Sequence, residues 1–260
     1  MNFKSVELKT IALFLNIALF TVVFFPSCNN NNGGDAAQEG KLAVIFKAKY
    51  DGQTMVLNKT YKYFDQSDIT FTRSEFFMTD LMVLDQNSQQ KTISNTNFVN
   101  FTEKNKTEAS AEQGISYEFT LPVGTYKNLG FHIGLPPSLN SMQPSDFTVG
   151  SPLAEGTNYW AGWKSYIFSK FEGTIKNQNF NDAFGYHSGF DEAYRTVQFT
   201  NNFDIKANET TTLVIEFDHK PMFGNNVDYF DIYSQLVFHD TKGGYMARFM
   251  DLMSKSFSIK

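Results

Sequence analysis

Four histidines, two tryptophans and a single cysteine are the side chains of this 260-residue sequence whose chemistry goes beyond packing. Two of the histidines share a local pattern, with an aromatic residue before and a glycine two places after: Phe131-His132-Ile133-Gly134 and Tyr186-His187-Ser188-Gly189. Neutral imidazole is the commonest side-chain ligand for copper and zinc. A glycine beside each ring lets the backbone turn close to whatever the imidazole faces. His132 and His187 are therefore the expected metal ligands, brought together from neighbouring strands. The plainer alternative is that each is a hydrogen-bonded core or edge residue. His219 (in FDHKP) and His239 (in VFHDTKGG) follow strand-like runs and are expected at strand ends. Trp160 and Trp163, in YWAGW, are expected to wall the site or to be modifiable aromatics there; the alternative is a pair of large apolar anchors.

Motifs for catalysis are missing. The sequence has no G-x-S-x-G elbow, Walker loop, H-E-x-x-H or C-x-x-C. Asp65, Asp68, Asp80, Glu172, Asp182, Asp191 and Glu192 fall in or beside turn-like segments, and the sequence alone pairs no two of them as acid and base. No acidic loop has EF-hand spacing. The chain is not expected to be an enzyme. Its net charge of −5 and the lack of a basic cluster argue against nucleic acid as a partner.

The elements that must position these residues read as strands. LAVIFKAKY, ITFTRSEFFMTDLMVLD, ISYEFTL, YKNLGFHIGL, KSYIFSKFEG, RTVQFTNNFDI and TTLVIEFDH are aromatic- and β-branched-rich runs separated by Asn, Gly, Ser or Pro clusters. In one of them Ile115, Tyr117, Phe119 and Leu121 alternate with Ser116, Glu118 and Thr120. The second run is long for one strand and is expected to bend near Thr79-Asp80. Repeated short strands with turn punctuation predict an all-β fold, an antiparallel, Greek-key-like β-sandwich with minor short helices, spanning 41–260 as one domain. A helix is expected only near the end, where Met246, Phe249, Met250 and Met253 recur at helical spacing. That methionine stripe reads as core filling.

Residues 1–27 read as a secretory signal: Lys4 and Lys9, then the apolar run Ile11–Phe25, then Pro26-Ser27. The lone cysteine, Cys28, stands at the expected cut. It has no internal partner for a disulfide, and lipidation of Cys28 accounts for both its position and its isolation. Residues 28–40, CNNNNGGDAAQEG, then form a flexible tether. These features predict a lipid-anchored protein of the bacterial cell envelope, attached to the membrane through lipidated Cys28.

The order V-G-T-Y, G-F-H-I-G-L-P, L-N, P-L, Y-W-A-G-W, Y-I-F-S-K-F-E-G, Y-H-S-G, preceded by DGQTMVLNKTY and ITFTRSEFFMTDLMVLD, resembles the MbnP-like family of copper-binding proteins. The resemblance covers nearly the whole mature domain and implies a secreted or periplasmic β-rich fold that binds copper. It also implies, for some members, a di-haem peroxidase-like partner that oxidises a tryptophan; an outer-membrane receptor is another expected partner. Of the family's ligand positions, His187 matches the H-x-G histidine, whereas Thr79 and Ser141 stand where copper-binding members carry histidines. Two readings follow: a lipoprotein that binds or buffers copper without turnover, and a metal-free β-sandwich lipoprotein that binds a protein partner or small ligand at its tryptophan end.

Overall fold

A computed structural model describes residues 38–241 and 244–260. The expected signal segment, Cys28 and the tether up to residue 37 lie outside the described residues. β1 (Glu39–Tyr50) begins two residues earlier than the domain boundary expected from composition.

From β1 the chain turns at Asp51-Gly52 into β2 (Gln53–Thr54), then β3 (Thr60–Lys62), the long β4 (Asp68–Asp85) and β5 (Gln90–Asn100). Two short helices, α1 (Phe101–Lys104) and α2 (Glu108–Gln113), lead to β6 (Ile115–Pro122) and β7 (Gly124–Ile133). A loop with α3 (Pro137–Asn140) reaches β8 (Tyr159–Trp160), β9 (Ser165–Lys176), β10 (Asn181–Gly189), β11 (Arg195–Ile205) and β12 (Thr210–Asp218). The last part holds β13 (Val237–Phe238), α4 (Tyr245–Ser254) and β14 (Phe257–Ile259).

These strands form a β-sandwich. One sheet runs β14-β12-β1-β2, with β6 also paired to β1; the other is built around β4. The sheets meet through phenyl rings: Phe46 of β1 packs edge-on against Phe76 of β4 and Phe131 of β7, and Phe217 of β12 packs against Phe76 and Phe171. The pairing is mainly antiparallel, as expected, with two parallel exceptions. β1 runs parallel to β12 from Lys41↔Thr210 to Lys49↔Asp218, and β10 runs parallel to β13. Parallel neighbours need a long crossover, and β1 and β12 have one, since most of the second sheet lies between them in sequence.

β4 organises the second sheet. β5 pairs with it from Glu75 to Leu84, so β9 (paired at Asp68–Phe76) and β7 (paired at Met78–Asp85) must follow one another along its other edge. The division falls just before Asp80, which adopts φ +48, where both β5 and β7 shift register. This is the bend expected from the strand's length. α4 turns Met246, Phe249, Met250 and Met253 into the core, as its spacing predicts.

Candidate functional site

Two strands of the second sheet carry charges at alternate positions: Arg73 and Glu75 on β4, Lys170 and Glu172 on β9. Side chains alternate between faces along a strand. Phe171 packs inward on Phe217 and Phe249, so Lys170 and Glu172 take the outer face. The antiparallel register sets Arg73 opposite Glu172 and Glu75 opposite Lys170. Opposite charges directly across an antiparallel pair stabilise it. Arg73 Nη1 donates to Glu172 Oε1 at 3.0 Å, and Lys170 Nζ lies 3.2 Å from Glu75. Lys170 is nearly fully buried and also donates to the Thr157 carbonyl and Asn158 Oδ1 at 3.0 and 2.6 Å. The neighbouring cleft, about 600 Å³, is bounded by Arg73, Glu75 and Lys170, whose charges are already paired within this array.

His187 joins this array from β10, where it stands opposite Lys170. Its Nε2 lies 2.8 Å from Glu172 Oε1. Burial would raise the Glu172 carboxyl, but the His187 hydrogen bond and the Arg73 charge outweigh it and hold the group below its usual range. Burial lowers the His187 pKa, opposed by Glu172; the second nitrogen of the ring is Nδ1. That nitrogen is buried and has no hydrogen-bond partner among the described residues.

His239 reaches the same place by register. β13 pairs with β10 as Gly185↔Val237 and Tyr186↔Phe238. On the core face Phe238 stacks on Tyr186, with centroids 4.6 Å apart. One residue on, at the outer face, His239 stacks on His187 at 4.8 Å and 22°. The tryptophans close the other side. A turn closed by Trp163 N–H to Trp160 O at 3.0 Å brings the two indoles together, stacked at 4.6 Å. Trp160 lies 5.3 Å from the His239 ring and Trp163 lies 6.5 Å from it. Gly189 makes room for this wall, because a Cβ there would sit 2.8 Å from Trp163 Cζ3.

His132 is elsewhere, which corrects the expected His132–His187 pair. Across β4, His132 stands opposite Thr79, while Lys170, opposite His187, stands opposite Glu75. Those two positions on β4 are four residues apart, about 13 Å at ~3.3 Å per residue. Two metal–nitrogen bonds of about 2 Å each do not bridge that gap. His132 has its own neighbours: Nδ1 is 2.9 Å from Thr196 Oγ1 and the ring stacks on Tyr194 at 4.8 Å. Its Gly134 serves a different purpose from Gly189, adopting φ +92 where a Cβ would strike Phe168. Thr79 donates to the Gly134 carbonyl at 2.8 Å and Ser141 to the Ser138 carbonyl at 3.2 Å, so both act in local backbone bonding.

His219 is a core residue. Its Nε2 is 2.7 Å from Ser74 Oγ, its Nδ1 is 3.1 Å from the Lys49 carbonyl, and Phe71, Phe101, Phe171 and Phe217 surround it.

The family model for MbnP matches residues 39–240. The chain belongs to the MbnP family. Among solved structures it is similar to MbnP from Methylosinus trichosporium, with a TM-score of 0.55 and 13% identity over 80% of this chain and 83% of that one. At that identity the likeness establishes the MbnP fold. A leucine-rich repeat protein from Bacteroides thetaiotaomicron overlaps 68% of this chain and 13% of its own length at 10% identity, and its TM-score of 0.23 bears no weight. No curated protein matches the sequence. Measured against copper, the group the MbnP resemblance implies, the described residues hold no cluster of three or more His, Cys, Asp or Glu placed for a metal. What they hold is a pair of imidazoles, one with a buried, partnerless nitrogen. Imidazole is a ligand type that suits copper, and two of them fall short of a four-ligand tetrahedral zinc site.

Sequence spacing groups His187 with both tryptophans; the structure sets His239 between them, and Glu172 and Arg73 join by cross-strand register. The signal for the charges was the alternation Arg73-x-Glu75 and Lys170-x-Glu172 on two strand-like runs, informative only once their register is known.

Proposed function

We propose that this MbnP-family chain is a copper-binding lipoprotein of the bacterial cell envelope that holds Cu(I) at His187 and His239 and buffers or passes on the metal without turnover. The observation that carries this reading is the buried His187 Nδ1, which has no hydrogen-bond partner among the described residues and lies beside a second imidazole. Leaving such a group unsatisfied costs about 1–3 kcal/mol, and a metal ion would supply the missing partner. The stacked indoles limit water at the pair, which favours retention of a soft ion. Family membership supports copper as the metal. The secretory run and the isolated Cys28 support attachment to the membrane through a lipid; a di-haem peroxidase-like protein or an outer-membrane receptor fits that setting as partner.

Competition titration against a Cu(I) chelator tests the site. Wild type is expected to take up stoichiometric copper, and His187→Ala to take up none while keeping a β-rich circular dichroism spectrum. The second reading, a metal-free binding module at the tryptophan end, is favoured by the lack of a third metal ligand among the described residues and by Trp160, which is 37% exposed. It prevails if wild type binds no copper. Anchoring is tested separately: Cys28→Ser is expected to move the protein from the detergent to the aqueous phase, and wild-type protein that stays aqueous contradicts the lipoprotein assignment.

A further inference from the structure

We propose that Glu172, held in place by Arg73, is the positioning residue that fixes His187 in its Nε2–H tautomer and so presents Nδ1 as the ligand atom. The inference rests on the copper reading above for what Nδ1 binds, and on geometry alone for the tautomer.

A neutral imidazole has one donor and one acceptor nitrogen, and the partner of one decides the state of the other. Glu172 Oε1 lies 2.8 Å from His187 Nε2 and accepts from Arg73 Nη1 at 3.0 Å. An oxygen that receives an arginine N–H is an acceptor. The reversed tautomer would set the Nε2 lone pair against a carboxylate lone pair at hydrogen-bond distance and put a proton on Nδ1, which has nothing to donate to. The Nε2–H form satisfies Nε2 and leaves Nδ1 free of a proton. Metal-bound histidines are commonly oriented in this way, by a carboxylate on the nitrogen remote from the metal.

Arg73 fixes Glu172 in turn. Its guanidinium lies between two carboxylates, with Nη1 on Glu172 and Nε 3.9 Å from Glu75. Glu75 is itself tied to buried Lys170, 3.2 Å away. The carboxylate that faces His187 is therefore one end of a cross-strand network, and its orientation is set before any metal arrives. Copper would load onto Nδ1 without displacing a proton or turning the ring against Glu172.

The test uses histidine-¹⁵N-labelled apo protein and a Cu(I) competition titration on the same samples. Long-range ¹H–¹⁵N spectra are expected to show His187 of wild type as the Nε2–H tautomer. Glu172→Ala should mix the tautomers and weaken Cu(I) binding by about 10–100-fold. Glu172→Gln, whose amide oxygen can still accept from Nε2–H, should restore most of the tautomer and lose less than about tenfold by the same reasoning. Arg73→Gln, at a partly exposed site that leaves the carboxylate in place, should give an intermediate effect and covers the case in which Glu172→Ala fails to fold. A wild-type His187 that carries its proton on Nδ1 overturns the proposal, as does a folded Glu172→Ala protein with unchanged tautomer and affinity. If wild type shows the Nε2–H tautomer and loses it in Glu172→Ala but takes up no copper, the tautomer assignment stands and the copper reading is what falls.

Discussion

His219 and His187 are both largely buried imidazoles, the first ringed by four phenylalanines and the second set against His239, and they differ in how fully their nitrogens are engaged. His219 sits between the sheets with each nitrogen engaged, to Ser74 on one side and to the Lys49 and Phe217 carbonyls on the other. Nothing of its polarity is left over, and it acts as a polar rivet in a phenylalanine core. His187 lies on the outer face of the second sheet with one nitrogen engaged and the other buried without a partner among the described residues. Burial therefore does not separate the two histidines, whereas the completeness of their hydrogen bonding does.

The comparison is broken most forcefully at His219. Replacing it by alanine empties a site in the core and strands the Ser74 hydroxyl, at an expected cost on the order of 3 kcal/mol. Chemical denaturation should show this loss, whereas His187→Ala should stay within about 1 kcal/mol of wild type. A result the other way round would reverse the two roles.

Acid should give an effect of similar size from the same residue. Burial pushes the His219 pKa down from 6.5 to about 4. Between those values the unfolded chain binds a proton that the folded protein refuses. Stability is therefore complete above pH 6.5 and falls as the pH drops toward 4, by up to about 3 kcal/mol from this group. His219→Gln, though less stable throughout, should flatten most of that slope. An unchanged slope in the variant would show that His219 is not the titrating group.

Gly189→Ala is expected to cost about 1–3 kcal/mol, since its Cβ would collide with Trp163 and with the Tyr166 carbonyl, each at 2.8 Å. Tryptophan fluorescence should shift as the indole is displaced from beside His239. Gly185→Ala, four residues earlier on β10 with nothing within 4 Å of its Cβ, is the control and should change stability by no more than about 0.5 kcal/mol.

Much of this fold is legible in the sequence because its strands obey simple periodicity. Ile115, Tyr117, Phe119 and Leu121 are more buried than their neighbours as their alternation predicts, β4 bends at Thr79-Asp80, and the Met246–Met253 stripe lies on a helix. The parallel pairing of β1 with β12 is not legible, because no local pattern records which distant strand a buried run will join. The site was half legible for the same reason. Phe131-His132-Ile133-Gly134 and Tyr186-His187-Ser188-Gly189 look alike, yet Gly134 accommodates Phe168 and Gly189 accommodates Trp163. The true neighbour of His187, His239, arrives by way of a strand of only two residues, Val237–Phe238, too short to carry a period.

The division among the four histidines is the central claim, and one titration reads all of them. Apo protein with ¹⁵N-labelled histidine is followed as Cu(I) is added from a chelator-buffered stock. His187 and His239 resonances are expected to move together to saturation while those of His132 and His219 keep their apo positions. Movement of His132 with His187, with His239 unmoved, would contradict the account and restore the pairing that the two matching sequence motifs suggest.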